Sequence, residues 1–347
     1  MRDFLAAGRL ASTTRDDSAS TREAAVEAEF VRPRPAPQPL SRSSASCALC
    51  STCSGSLTLV QSDARLSACF SRPAPPLPSS LPLSSQSTMS PLPILVVNPN
   101  TTKSMTDGLE AALAPIVATG RLPPPTFFTA PTGIPSINCS EDCHASATAV
   151  LPHLLNSPSS SSTESLASSH SAILIACYSV HPLVPLLTAR LAPRPVLGIF
   201  EASILASLAL LRAPGEKFGI VTTGAVWESI LSEGVADFLG LEKGGKSSKF
   251  AGVQTTGLNA VELHSTPEGE VTRRLKDAVK RLIRQAKEDG GKLRAVCLGC
   301  AGMVGFDEAV RAGCVEELGE EEGRRVEIVD GVKAGYAMLE GMVRARG

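Results

Sequence analysis

From residue 91 onward, short apolar runs alternate with longer stretches in which apolar residues recur every three or four positions. Short runs of this kind are typical of buried parallel strands, and the longer stretches are typical of amphipathic helices. The strand candidates are 93–98, 126–130, 172–177, 195–200, 217–223, 294–299 and 326–330. The pattern therefore predicts an α/β fold built on parallel sheets.

Two helices are marked by their ends. One is predicted from about Glu270 to Asp289, because apolar residues line one face, charged residues line the other, and Gly290 supplies a stop. Another is predicted to begin near Ser104, where a hydroxyl followed three residues later by Asp107 matches a capping box.

The chain also contains a weak internal repeat. The spacing from Asn98 to Cys177 nearly equals the spacing from Thr222 to Cys300, and each of these residues falls at the end of a strand candidate. We therefore expect two similar α/β lobes. Ligands of open parallel sheets bind outside the carboxyl ends of the strands, so two facing lobes would bring Cys177 and Cys300 to opposite sides of one ligand.

Residues 1–90 differ sharply in composition from the rest. They are rich in Ser, Ala and Pro and contain no Lys, which predicts a disordered extension. Initiation of translation at Met89 would explain this change in composition, and a targeting leader is the alternative explanation. Cys47, Cys50 and Cys53 have a spacing seen in metal and iron–sulfur sites, but no folded frame surrounds them. The serine run 157–163 is predicted to be a surface insertion.

Composition narrows the class of partner. Aromatic residues are only 4% of the chain and its formal net charge is −1, so we expect neither nucleic acid nor a membrane surface as partner. No apolar stretch approaches the roughly 18–20 residues of a membrane helix. The ten cysteines are scattered, which favours a reducing compartment and a cytoplasmic location, with organelle targeting by residues 1–90 as the alternative.

The stretch "CLGC" places two cysteines three positions apart. A redox or zinc motif is one interpretation. Cys297, however, lies inside an apolar strand candidate, where a cysteine is usually a small buried hydrophobic residue. Cys300 lies at the strand's end, followed by Ala301 and Gly302, whose uncovered backbone amides can approach a sulfur or a ligand carbonyl. We therefore assign chemistry to Cys300 alone of these two.

Other polar residues have two interpretations each. His181 could serve as a general base or be a polar loop residue. Cys139, Cys143 and His144 loosely resemble a metal spacing, although a helix start at Ser140 explains the neighbouring acids.

Two hydroxyl-bearing loops could contact a ligand. The stretch "NPNTT" at 98–102 lacks the glycines of a phosphate loop, but it offers amides and hydroxyls at a helix start, as do Thr222 and Thr223. Such groups suit a carboxylate or an imide carbonyl. Helix capping alone is the alternative for both loops.

Several of these stretches together resemble one known family. They are "ILVVNPNTTKSMT", "FFTAPTGIPSI", "ILIACYSVHPLV", "VLGIFEASI", "FGIVTTGAVW", "GLNAVELH" and "LGCAGM". In this order they resemble the aspartate/glutamate/hydantoin racemase superfamily, and most of all its hydantoin and allantoin racemase branch with the fungal hydantoin-racemase-like proteins. Nothing in residues 1–90 takes part in the resemblance.

The resemblance implies two Rossmann-like lobes related by a pseudo-twofold axis, with the active site in the cleft between them. It implies an N-terminal lobe of residues 91–198 plus 331–347, a C-terminal lobe of residues 199–330, and no metal or organic cofactor. By this resemblance Cys177 and Cys300 act as acid and base. The residues implied to hold the substrate's polar groups are Asn98, Thr101, Thr222 and Thr223, beside the Ala301 and Gly302 amides.

The prediction is therefore a cofactor-independent racemase of a 5-substituted hydantoin or of allantoin, using two cysteines for proton transfer. The partner is a small molecule with carboxylate or imide carbonyl groups, and we expect a homo-oligomer. One alternative is another cysteine-dependent isomerase of the superfamily, of the amino-acid racemase or maleate isomerase type; an arylmalonate decarboxylase needs only one cysteine. The other alternative is a non-catalytic protein that binds nitrogen metabolites.

Overall fold

The structure, a computed structural model, describes residues 92–156 and 165–346 of the chain. The predictions for the extension 1–90, with Cys47, Cys50, Cys53 and Met89, and for the serine run 157–163 concern residues outside these ranges. No helix in the described ranges is both long enough and apolar enough to cross a membrane.

Strands and helices alternate along the described residues. The strands are β1 (Ile94–Asn98), β2 (Thr126–Thr129), β3 (Ala172–Ile175), β4 (Val196–Gly198), β5 (Glu216–Thr222), β6 (Phe250–Thr255), β7 (Lys292–Leu298) and β8 (Glu327–Asp330). The helices are α1 (Lys103–Val117), α2 (Ser140–Leu155), α3 (Leu183–Leu191), α4 (Ile199–Leu210), α5 (Trp227–Phe238), α6 (Glu262–Ser265), α7 (Glu268–Glu288), α8 (Asp307–Leu318), α9 (Glu320–Arg325) and α10 (Gly331–Arg344). Short 3-10 turns lie at Ala167–Ser169 and Ala301–Met303.

These strands form two parallel sheets with the same order. In the first sheet β1 lies between β2 and β3, and β4 lies outside β3. In the second sheet β5 lies between β6 and β7, and β8 lies outside β7. The predicted α/β fold with two parallel-sheet lobes is confirmed. The shared order makes β5 the counterpart of β1, and β7 the counterpart of β3.

The strand predictions contain one omission and one excess. The sequence pattern misses β6, an outer strand whose residues alternate between half-buried and buried and which is interrupted by Gly252 at a φ of +114°. This alternation differs from the continuous apolar runs that mark the central strands. The predicted strand 195–200 is too long, because the chain enters α4 directly after Gly198.

The two predicted helix ends have different outcomes. The amphipathic helix is confirmed as α7, with Leu275 and Leu282 fully buried on one face and Gly290 beyond its end at a φ of +68°. The helix predicted to begin near Ser104 is confirmed as α1, which begins at Lys103, but the predicted capping box is wrong, because Thr102 occupies the cap position and makes no side-chain capping hydrogen bond.

The two sheets share one apolar core. A continuous cluster of buried residues includes Val96 and Leu174 from the first sheet and Phe218 and Ile220 from the second. Burying each such side chain contributes about 1.5–3 kcal/mol, so separation of the two lobes would expose strongly stabilising surface. Helices α4 and α10 pack between the lobes: α10 contacts α1, β3 and α4, and α4 contacts β7 and β8. This shared layer fixes the two sheet edges relative to each other.

Candidate active site

Four sequence-predicted residues end the central strands of both sheets. β1 ends at Asn98 and β5 ends at Thr222, while Cys177 follows β3 and Cys300 follows β7. Since β1 corresponds to β5 and β3 to β7, the four residues occupy matching positions at the carboxyl edges of the two sheets.

Contacts across the lobes bring these edges together. Helix α1 of the first lobe contacts the 3-10 turn that follows Cys300. Cys177 and Ala301 also pack against the same apolar cluster.

The Asn98 side chain organises its own loop. Asn98 is 1% exposed; its Nδ2 donates to the carbonyl of Thr102 at 3.1 Å and to Thr106 Oγ1 at 3.0 Å, and its Oδ1 accepts from the Asn100 N–H at 3.2 Å. The half-buried Thr101 donates its backbone N–H to the carbonyl of Ile134 at 3.0 Å. Both Asn98 donors therefore serve the fold. The backbone N–H groups of Asn100 and Thr102 and the Thr102 hydroxyl also bond within the protein, so the Thr101 hydroxyl is the donor that residues 99–102 leave for a ligand.

A second loop is held by the threonine pair. Thr222 is buried, and its Oγ1 donates to the carbonyl of Gly299 at 2.5 Å, which joins the end of β5 to the segment carrying Cys300. Thr223 is also buried, and its carbonyl accepts the Gly257 N–H at 3.0 Å. The Thr222 hydroxyl thus positions Cys300.

Cys300 is half-buried and heads the 3-10 turn. Its sulfur accepts the Gly302 N–H at 3.3 Å, which fits the predicted role of this glycine's uncovered amide. Burial raises the pKa of the Cys300 thiol to about 11, while the Gly302 N–H acts in the opposite direction. Gly299 allows the close approach of β7 to β5, since a Cβ there would lie 2.7 Å from the Thr222 Cβ. At neutral pH this sulfur is a thiol.

Cys177 is half-buried and has polar neighbours that the sequence did not indicate. Its Sγ lies 3.3 Å from the Ser179 hydroxyl, and the same hydroxyl lies 3.4 Å from Cys143 Sγ in α2. The hydrogen bond to Cys143 raises the pKa of Cys177 well above its ordinary value, and burial acts in the same direction. The hydrogen bonds from Cys177 and Ser179 lower the pKa of Cys143 to about 7 against the effect of burial.

His181 is held by the start of α3. The residue is 1% exposed, and its Nδ1 accepts the Leu183 N–H at 3.3 Å, so the neutral ring carries its proton on Nε2. Burial lowers the pKa of His181 to about 4, with a smaller contribution from His144. The Nε2 atom has no hydrogen-bond partner among the described residues. A neutral ring with this pKa is a weak base at neutral pH.

The remaining cysteine predictions concern structure. Cys297 is fully buried in β7, with its Sγ 3.1 Å from the Ser207 hydroxyl of α4. α2 begins at Ser140, as expected from the acids that follow it. Within 92–156 and 165–346, no group of three or more His, Cys, Asp or Glu side chains has a metal-binding arrangement.

Sequence reasoning missed three residues beside the two sulfurs: Cys143, Ser179 and His264. A Cβ placed on Gly302 would lie 3.3 Å from His264 Nε2 and 3.6 Å from Cys300 Sγ, so the imidazole and the sulfur flank one point. His264 lies in the "GLNAVELH" stretch, which contributed to the family resemblance but did not indicate that His264 lies near Cys300. The Cys143–Ser179 contact joins α2 to the loop after β3, and no local pattern encodes it.

Comparisons with known proteins agree with this architecture. The family model described as Asp/Glu/Hydantoin racemase matches residues 94–339. An uncharacterized protein of Schizosaccharomyces pombe is 33% identical over 256 residues, covering 72% of this chain and 92% of that protein. The hydantoin racemase of Paenarthrobacter aurescens is 29% identical over 252 residues, covering 72% of this chain and 90% of that enzyme.

A solved structure is similar over the same region. Allantoin racemase from Pseudomonas fluorescens aligns with a TM-score of 0.55 and 25% identity, covering 74% of this chain and 92% of that one. Together with the family model and the fungal relative, this likeness extends over both lobes. The chain belongs to the Asp/Glu/hydantoin racemase family.

Proposed function

We propose that this protein racemises a hydantoin-type substrate, either a 5-substituted hydantoin or allantoin, by proton transfer between Cys177 and Cys300 without a cofactor. The observation that carries the proposal is the matching position of the two sulfurs, each directly beyond a central strand of its own lobe. The similarity to hydantoin and allantoin racemases supports the choice of substrate class.

The reaction requires one sulfur as thiolate and the other as thiol. The thiolate takes the proton from the substituted ring carbon, and the electron pair of the broken C–H bond moves into the adjacent ring carbonyl. The opposite thiol then returns its proton to the other face of the carbon, and its sulfur is left as the thiolate. Each turnover therefore inverts the carbon and exchanges the protonation states of the two sulfurs.

Groups around the sulfurs suit such a substrate. The Thr101 hydroxyl is a hydrogen-bond donor for a ring carbonyl, and the Gly302 amide, which donates to Cys300 Sγ in the structure, would serve as a second donor after exchanging that partner; both would stabilise the negative charge that develops on the ring carbonyls. The pKa of Cys177 is raised by its hydrogen bond to Cys143 and by burial, and that of Cys300 is raised by burial, so the reaction begins only after one of the two sulfurs has lost its proton.

The test is the loss of optical rotation of enantiopure S-allantoin and of a panel of 5-substituted hydantoins, with spontaneous racemisation subtracted. L-glutamate, L-aspartate and maleate belong in the same panel. We expect turnover of at least one hydantoin or of allantoin. Turnover of only an amino acid or maleate would replace the proposed substrate class, and binding without turnover of any compound would favour a metabolite-binding protein.

Variants test the two-thiol mechanism. Cys177→Ser and Cys300→Ser should each reduce net racemisation by at least about a thousandfold, since a serine hydroxyl does not ionise near neutral pH. Cys314→Ala is the matched control, because Cys314 is a fully buried cysteine of α8 with no role in the site. Full turnover by both serine variants would refute the mechanism.

A further inference from the structure

A third cysteine lies behind Cys177. The Ser179 hydroxyl is within hydrogen-bonding distance of both sulfurs, 3.4 Å from Cys143 and 3.3 Å from Cys177. Cys143 is 3% exposed and Ser179 is 1% exposed, whereas Cys177 is half-buried at the candidate site. The three groups thus form a short chain that runs from the site into the protein.

We propose that Cys143 is a positioning residue that shares one proton with Cys177 through the Ser179 hydroxyl and thereby supplies the Cys177 thiolate. The role within the reaction rests on the proposed function, but the shared proton itself does not. Cys143 need not touch the substrate.

The proton transfer balances within the three residues. In the structure the Cys143 S–H donates to Ser179 Oγ. Once Cys143 has lost this proton, its thiolate accepts the Ser179 O–H, and Ser179 Oγ accepts the Cys177 S–H. Ser179 gives its proton to Cys143 Sγ and takes the proton of Cys177 Sγ. Afterwards Cys143 is a thiol, Ser179 is again a hydroxyl, and Cys177 is the thiolate that faces the substrate.

Location favours a thiolate in this chain. Cys143 lies in the first turn of α2, where the helix dipole stabilises negative charge. The other titratable groups that act on the pair are Asp142, which opposes the thiolate, His144, which favours it, and Cys300 across the site.

The pKa directions agree with one shared proton. The pKa of Cys143 is lowered to about 7 and that of Cys177 is raised, chiefly through hydrogen bonding between the two sulfurs, while burial raises the pKa of both. For two coupled groups these values belong to the pair, so the pair loses its first proton near neutrality. The Cys143–Cys177 pair can therefore hold one thiolate at a pH at which Cys300 is still protonated.

The test is the rate of Cys177 alkylation by iodoacetamide from pH 5.5 to 10, followed by mass spectrometry of the Cys177 peptide. In the unaltered protein the rate should rise with a midpoint near pH 7. In Cys143→Ala the midpoint should move to the ordinary thiol value of about 8.5 or above, which lowers the rate at pH 7 by about tenfold or more. Ser179→Ala should move it in the same direction, and Cys314→Ala should leave it unchanged.

This measurement needs no substrate, so a failure of the racemase proposal would not affect it. An unchanged midpoint in both Cys143→Ala and Ser179→Ala would overturn the proposal. If Cys143→Ala does not fold, Ser179→Ala decides alone, since it keeps both sulfurs. If the protein is an active racemase, the acid-side midpoint of the pH profile of kcat/KM should move to higher pH in Cys143→Ala while KM stays unchanged, and raising the pH should restore turnover. A loss of activity at every pH would indicate a merely structural role.

Discussion

Buried His181 should make the protein's stability fall as the pH is lowered. The residue is 1% exposed and its pKa is about 4 in the folded protein, against 6.5 as its ordinary value. Because the folded pKa is the lower one, the unfolded chain binds more protons in the window between these values. The stability due to neutral His181 is therefore present above pH 6.5 and is lost as the pH falls toward 4.

The size of the effect follows from the two pKa values. At pH 5 almost every unfolded chain carries the imidazole proton, whereas about one folded chain in ten does. The difference lowers the free energy of unfolding by about 2 kcal/mol between pH 7 and pH 5. An effect of this size is a considerable fraction of the total stability of about 5–15 kcal/mol that is usual for a folded domain.

The assay is urea unfolding at pH 7, 6 and 5 of the unaltered protein and of His181→Gln. Other titrating groups contribute equally to both proteins, so the difference between them isolates the imidazole. His153→Gln is the control, because His153 is an exposed histidine of α2. We expect the difference for His181→Gln to change by about 2 kcal/mol between pH 7 and pH 5. A difference that stays constant over this window would refute the reasoning.

Two further substitutions test the packing that supports the site. Burial raises the pKa of Glu201, in the first turn of α4, to about 6, so the protein loses stability as the pH rises through that value and the carboxyl ionises. Glu201→Gln should therefore raise the free energy of unfolding by at most about 2 kcal/mol at pH 7.5 and leave it unchanged at pH 4. An equal effect at both pH values would contradict this. Gly299→Ala should lower the free energy of unfolding by about 1–3 kcal/mol in thermal or urea unfolding, because its Cβ would lie 2.7 Å from Ile220 Cγ2 and from the Thr222 Cβ. The matched Gly224→Ala, where a Cβ meets nothing within 4 Å, should change it little, and equal losses in the two variants would contradict the close-packing argument.

Much of the fold could be predicted because central parallel strands are buried on both faces. Their continuous apolar runs, as in β1 and β3, identify both the strand and its carboxyl end. The polar residue after each run, such as Asn98 or Cys300, is then placed at the sheet edge by geometry alone. The half-buried outer strand β6 lacks such a run, and it was missed for that reason.

The neighbours of the sulfurs could not be predicted in the same way. Cys143 meets Ser179 because α2 packs beside the loop after β3, and His264 approaches the Cys300 turn from α6. These contacts depend on how the helices pack against the sheets, and the spacing of apolar residues in the sequence does not specify that packing. The role of Asn98 shows the same limit: its position was predictable, but the occupation of its donors by Thr102 and Thr106 was not.

Solvent deuterium exchange tests the central claim most directly, namely that Cys177 and Cys300 act on opposite faces of one carbon. Each enantiomer of a turned-over hydantoin is incubated in D₂O with Cys177→Ser or Cys300→Ser, and deuterium at the ring carbon is followed by mass spectrometry. We predict that each variant exchanges the proton of only one enantiomer, that the two variants select opposite enantiomers, and that neither inverts the carbon. Exchange of the same enantiomer by both variants, or inversion by either one, would contradict the account.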